Sequence, residues 1–396
     1  MKLKQQPEDF EVEELTEVVG ADEGSFSFYR LEKRGWATLD ALQAIGRRWK
    51  LAPGRISYGG LKDRHARTVQ YLTIWQGPQR GLKHHEVTLT YLGRVKAPYT
   101  SKDIRANRFR ITLRALRSGE LAATEQALDE VRVDGVPNYF DDQRFGSVGA
   151  GERFVAHSLV LGHYEEALRL ALAEPYAYDR APQKQEKAIL RDHWGDWAAC
   201  KGLLPRGHAR SIVDYLVSHP DDFRGAAARL RPELRGLYLS AYQSYLWNRI
   251  LAGALAQRCR PEQLVSIDVR LGKLPMHRLL DDAQRAELTR LLLPLPSARL
   301  RLDPSDARAP LIEAILAEDG LQLKELKIKA FREPFFAKGE RPALCIPAGL
   351  AYQAETDEHH RGQQKLVLSF ELPRGSYATL IVKRIQQARD WRASGR

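Results

Sequence analysis

Apolar and polar positions repeat with two different periods along this chain, and the change of period divides it. Phe10 and Val12 alternate with Glu11 and Glu13, the pattern of a half-buried strand. Residues 27–31 predict a second strand. Thr38 has the character of a helix N-cap, because Leu39, Leu42, Ile45 and Trp49 follow it at helical spacing. Gly59-Gly60 breaks the chain ahead of Leu61-Lys62-Asp63. Residues 69–75 are short and rich in β-formers, which predicts a buried strand. Phe109, Ile111 and Leu113 alternate with Arg110, Thr112 and Arg114 as another strand, and residues 120–131 predict a helix.

From about residue 151 to 293 the pattern is helical: 159–172, 182–194, 209–216 and 236–257. The last is the clearest, with Leu239, Tyr242, Leu246 and Ile250 on one face. Pro294, Pro296, Pro304 and Pro310 interrupt it. Leu366, Leu368, Phe370 and Leu372 then restore a strand period, and residues 378–391 predict a terminal helix. There is no internal repeat and no low-complexity tract. Strand-rich ends around a helical block predict one α+β domain, built from both termini and interrupted by an insertion. Three independent domains fit the same pattern.

The length of 396 residues accommodates two or three domains. Hydrophobic residues at 43% and charged residues at 28% describe a globular protein with real cores. Lys and Arg exceed Asp and Glu by 62 to 50, and such an excess attracts a polyanion, of which nucleic acid is the usual one. Cys200, Cys259 and Cys345 are too scattered for a metal site or a disulfide framework, which points to a reducing compartment. No apolar run approaches the length of a membrane span or a signal core, so a cytoplasmic protein without a membrane partner is expected.

The residues with most chemical content lie at 58–70. Asp63 follows a Gly-Gly turn, precedes a buried-type strand, and is surrounded by Lys62, Arg64 and Arg67, cations that favour a carboxylate. Such a group serves as nucleophile, general base or metal ligand, or is a surface acid paired to Arg64 or Arg67. A metal-dependent nuclease is disfavoured because no second acidic ligand stands near it. His84-His85 and His359-His360 lack partner ligands, so no metal is expected. Arg47, Arg48 and Lys50 on one helix, and Lys383, Arg384, Arg389 and Arg392 on the last, are candidate RNA-gripping faces or solvated ones.

Gly60-Leu61-Lys62-Asp63, with Ala66, Thr68 and Gln70, resembles the GxKDxxAxTxQ signature of TruD-type pseudouridine synthases. Four further segments resemble the family in the same order. Pro7-Glu8-Asp9-Phe10, followed by Val12 and Glu13, resembles PEDFxVxE. Asn107-Arg108-Phe109 resembles GNxF, with Ala106 in place of Gly. Residues 135–146 resemble GVPNYFGxQRFG, with Asp141 in place of Gly. Leu372-Pro373 with Gly375-Ser376-Tyr377-Ala378-Thr379 resembles LPxGS[FY]AT. Between these, only residues 240–248 are similar to the family's inserted domain.

The resemblance implies an α+β fold: a pseudouridine synthase catalytic core with a mixed or antiparallel sheet and helices (1–134 and 345–396), interrupted by an α+β TRUD insertion (135–344). It implies isomerisation of a tRNA uridine, at position 13 of the D-arm in bacterial relatives, without a cofactor. Asp63 is the implied catalytic carboxylate. Phe10, Asn107, Phe109 and Tyr377 are the implied substrate contacts, and Lys62 is a candidate for a phosphate contact or for tuning Asp63. The N1–C1′ bond breaks, the uracil turns, and C5 is joined to C1′, so the nucleotide must leave its stack. Phe109 and Tyr377 are the candidate stacking faces, and Gly59, Gly60 and Gly375 the points of close approach or sharp turning. A non-catalytic RNA-binding module of the same fold is the alternative. Nothing in the sequence fixes the oligomeric state.

Overall fold

The computed structural model describes residues 1–303, 305–333 and 335–393, without the side chains of 390–393; Pro304 and the Arg392 side chain lie outside this set. The chain forms two compact units, one from Met1–Val136 with Cys345–Arg396 and one from Pro137–Leu344. The architecture is α+β.

In the first unit the strands are β1 (Lys2–Leu3), β2 (Phe10–Thr16), β3 (Phe26–Arg34), β4 (Ile56–Tyr58), β5 (Arg67–Trp75), β6 (Leu82–His84), β7 (Val87–Val95), β8 (Ile104–Leu116), β9 (Ala348–Thr356) and β10 (Gln364–Pro373). They make one ten-stranded sheet of order β9-β10-β8-β2-β5-β3-β7-β6, with β1 beside β8 and β4 beside β5. Neighbours are antiparallel except β2 and β5, which run parallel.

Register decides which side chains meet. Val12 lies opposite both Phe109 and Thr68, Glu14 opposite Asn107, Lys33 opposite Thr68, and Phe370 opposite Phe109. Opposed residues share a face, and side chains alternate along a strand. One face therefore carries Phe10, Glu14, Lys33, Gln70, Asn107 and Phe109. The other carries Glu11, Glu13, Arg30, Glu32, Arg67, Arg108 and Arg110. There Arg108 bridges Glu13 (3.2 Å) and Glu371 (2.8 Å). These pairs are half open to solvent and add little stability.

Three helices complete the unit. In α1 (Thr38–Arg48), Ala41, Leu42 and Ile45 bury against Tyr29, Leu31, Leu72, Ile74, Val87 and Leu89, on the first face. Helix α2 (Ser118–Asp134) lies on that face at the other end, where the Tyr352 hydroxyl, opposite Leu368, donates to Asp129 (3.0 Å). Helix α3 (Ala378–Ala393) packs on α2 through the buried Arg384–Glu130 pair and the Arg389–Glu120 pair. Arg384 and Arg389 are thus engaged inside the fold and do not form an RNA-gripping face. Arg114, 3% exposed, ties the ends of the unit together by binding Asp9 (2.8 Å), Asp357 (3.2 Å) and Glu358 (3.0 Å).

The second unit is built around the 27-residue helix Pro232–Arg258, whose Tyr242, Leu246, Trp247 and Ile250 are buried. Asn248 exchanges two hydrogen bonds of 2.8 Å with the Phe140 backbone, and Arg144 donates to Ser240 (2.7 Å). The two family-like segments of this unit therefore hold each other in place. The single helix expected over 159–172 is two, Val155–Leu161 and Tyr164–Leu172, because Gly162 takes φ 81° and caps the first. A hairpin, Leu264–Val269 with Gly272–His277, lies in the stretch whose pattern is helical.

Candidate active site

The segment 59–66 joins β4 to β5 and crosses the central strands of the first face. Its shape follows from a few polar side chains. Thr38, expected as an N-cap, lies inside α1 and Ala37 is the cap. The Thr38 hydroxyl instead accepts the Lys62 N–H (2.9 Å) and donates to Gln70 Oε1 (2.9 Å). Gln70 Nε2 donates to the Gly60 carbonyl (3.1 Å). At Gly59 a Cβ would stand 2.7 Å from the end of the Ile104 side chain, so a larger residue there has to displace Ile104. At Gly60 a Cβ would meet nothing within 4 Å, and the close approach expected of it is absent. Gly375 has φ 85° and makes the turn expected of it.

Lys33 secures the loop from below. It is 1% exposed, and its ammonium donates to the carbonyls of Trp36 (2.7 Å), Asp63 (2.8 Å) and Lys62 (3.4 Å). Burial draws its pKa down to about 8, although the Asp63 carboxylate pulls the other way.

The Asp63 carboxylate faces Lys4, whose Nζ lies 2.5 Å from Oδ2. This cation comes from a distant part of the chain, in the place that sequence proximity offers to Arg64 or Arg67. Lys4 itself has φ 56°, a left-handed conformation costly for a residue with a Cβ. Its ammonium also stands 3.9 Å above the centre of the Phe10 ring, an attraction between cation and π face. Phe10 meets Phe109 edge-on (6.2 Å), and Phe109 stacks on Phe370 (5.5 Å, 24°). Phe109 is 8% exposed, with one flat side covered by Phe370. It is a wall of the site, and a nucleobase would have only its other side.

Lys62 is turned away from the Asp63 carboxylate. Its Nζ pairs with Glu14 (2.9 Å) and donates to Asn107 Oδ1 (2.6 Å). Glu14 is fully buried and also accepts from the Tyr99 hydroxyl (2.9 Å) and the Tyr71 N–H (3.2 Å). Burial, reinforced by the Glu14 charge, pushes the Tyr99 pKa upward. The phosphate contact considered for Lys62 is therefore replaced by an internal one. The acid of the first motif that matters here is Glu14, two residues past Val12. Glu13 lies on the opposite face with Arg108.

Tyr377 is half-buried on the turn between β10 and α3, just beyond Pro373, which pairs with Ala106 beside Asn107. Asp63, Phe10 and Phe109 are thus linked through Lys4 and ring contacts, and Lys62 of the same loop forms a second cluster with Glu14 of β2 and Asn107 of β8. Sequence reasoning passed over Lys4, Glu14 and Lys33. Lys33 had a signal: a lysine on the apolar parity of a strand, in line with Tyr29 and Leu31. Lys4 had none.

An α+β unit made from both chain ends, with one carboxylate held by a cation and set among aromatics, defines the class. The sequence profile of tRNA pseudouridine synthase D (TruD) matches residues 1–385, and the chain belongs to this family of isomerases. It is 32% identical to a Methanocaldococcus jannaschii protein named "Probable tRNA pseudouridine synthase D 2", over 97% of this chain and 91% of that one. It is 28% identical to tRNA pseudouridine synthase D of Leptospira interrogans, over 97% and 95%. A crystal structure of a TruD protein from Methanosarcina mazei superposes with a TM-score of 0.70 at 29% identity, covering 97% of this chain and 93% of that one.

Proposed function

We propose that this protein converts a uridine of tRNA to pseudouridine, at position 13 in the D-arm, with Asp63 as the reacting carboxylate. The unit of Met1–Val136 and Cys345–Arg396 is the catalytic core, and Pro137–Leu344 is the TRUD insertion. The observation that carries this reading is the Asp63–Lys4 pair beside Phe10. Lys4 keeps the carboxylate anionic and aimed, and the aromatic wall of Phe10 and Phe109 excludes water from the detached uracil. Asn107 spends its carbonyl oxygen on Lys62. Its amide N–H groups are then the ones oriented to donate, and uracil carbonyls and ribose oxygens are acceptors.

The reaction exchanges the N1–C1′ bond for C5–C1′. The C5 proton leaves to solvent and N1 gains one, so the sum is an isomerisation. The same placement of Asp63 serves attack at C1′, removal of the 2′-proton or addition at C6. The test is release of label from tRNA carrying tritium at uracil C5. Asp63→Asn abolishes release and still binds tRNA; full release by that variant would remove Asp63 from the chemistry.

A further inference from the structure

The second unit contains a cavity of about 550 Å³ unrelated to the Asp63 loop. Four cations line it: Arg299, Lys327, Lys329 and Arg332. Among the described residues no carboxylate lines it. Behind the wall, the Arg235 guanidinium lies 4.4 Å from the Phe331 ring centre, and its buried Nε has no hydrogen-bond partner among the described residues. Burial lowers the Arg235 pKa, and the Glu233 charge offsets this only in part.

Apart from Ser297, the remaining side chains of the cavity are apolar or aromatic. Phe335 is 57% exposed at its edge, with the Arg299 guanidinium 4.9 Å from its ring centre. Arg299 is fixed there by a hydrogen bond to the Phe336 carbonyl (2.8 Å). An exposed flat ring beside four clustered cations suits a ligand with a π face and negative charge on one body. A nucleotide has both: its base stacks on an aromatic ring, and its phosphate meets the cations.

We propose that this cavity holds an unstacked nucleotide of the RNA, at a second site besides the one at Asp63. The inference rests on RNA being the substrate. A bulged or looped nucleotide is the occupant, because a helical one keeps its faces in its own stack. Phe335 supplies the stacking face, and Arg299 and Arg332 the phosphate contacts.

The experiment measures binding of unmodified tRNA, and of an RNA hairpin without bulges, to the full chain carrying Asp63→Asn. Adding Phe335→Ala weakens tRNA binding roughly tenfold, the worth of one stacked base, and leaves hairpin binding unchanged. Phe335→Trp restores tRNA binding. Arg299→Gln with Arg332→Gln lowers the salt dependence by about 0.7 for each phosphate that is no longer neutralised. Phe335 lies at the surface, so these variants fold. Equal tRNA affinity with and without Phe335, or the same weakening on the hairpin, overturns the proposal. Tritium release by the unaltered protein is scored separately, and its absence counts against the function proposed above.

Discussion

Raising the pH past about 8 will loosen the Asp63 loop while the fold as a whole gains stability. Lys33 has three carbonyls to satisfy and three N–H groups only while protonated. Burial brings its pKa from 10.5 to about 8. Above that value one anchor is lost, which costs on the order of 1 kcal/mol of loop order and slows the reaction several-fold. The unfolded chain keeps this proton until 10.5. Between about 8 and 10.5 it therefore binds more protons than the folded chain, and stability rises with pH. The full difference is about 3 kcal/mol. Tritium-release rates and urea melts, run in parallel from neutral to about pH 10, will move in opposite directions. Lys33→Met removes the titrating group; it is slow at every pH and lacks the alkaline fall. A wild-type rate that holds constant well above pH 8, or an identical fall in Lys33→Met, would refute the reasoning.

Three other changes have defined outcomes. Lys4→Gln takes away a hydrogen bond between charged groups worth about 1.5–3 kcal/mol; single-turnover rates fall roughly ten- to hundredfold, and an unchanged rate would rule out Lys4 as the partner of Asp63. Glu14→Gln leaves the Lys62 ammonium buried without a counter-charge and destabilises the protein by about 3 kcal/mol; adding Lys62→Met recovers most of the melting temperature but not the activity, since Asn107 loses its anchor. At Asp357, burial opposes the charged form, but the N–H groups of Ala115 and His359 and the His360 ring outweigh it and hold the pKa below the usual range. Its stabilisation is complete above about pH 4 and is lost as the pH falls further; urea melts will show a shallower acid limb in Asp357→Asn.

The parts of this protein that face a core were readable, and the parts that face each other across it were not. Alternation at Phe10 to Glu13 and at Phe109 to Leu113 gave strands that the sheet contains, since the period of two reports burial directly. The register between those strands is a long-range property. Nothing local in the sequence says that Glu14 stands opposite Asn107, or that Lys62 joins them. The same limit explains Thr38: its chemistry suits an N-cap, but Lys62 and Gln70 compete for its hydroxyl and win. Gly162 was a breaker inside an apolar run that a helical count over 159–172 absorbed. The loop motif was legible only as a string: what Lys62 and Gln70 hold, Glu14, Asn107 and Thr38, lies far from them along the chain, as Ile104 lies far from Gly59. Lys4, one of two lysines ahead of the first motif, announces nothing until the fold brings it to Asp63.

The order of synthesis acquires meaning from the way β10 seals the flat side of Phe109 and Asp357 completes the ring around Arg114. A nascent chain that has emerged as far as Val136 possesses Asp63, Lys4 and Lys33, but β8 has an empty flank and Arg114 lacks two of its three acids. The second unit is translated in full before those pieces exist. The ribosome therefore exposes the whole of the second unit while the first is still incomplete, and the sheet beside the Asp63 loop closes only when β10 and Asp357 arrive.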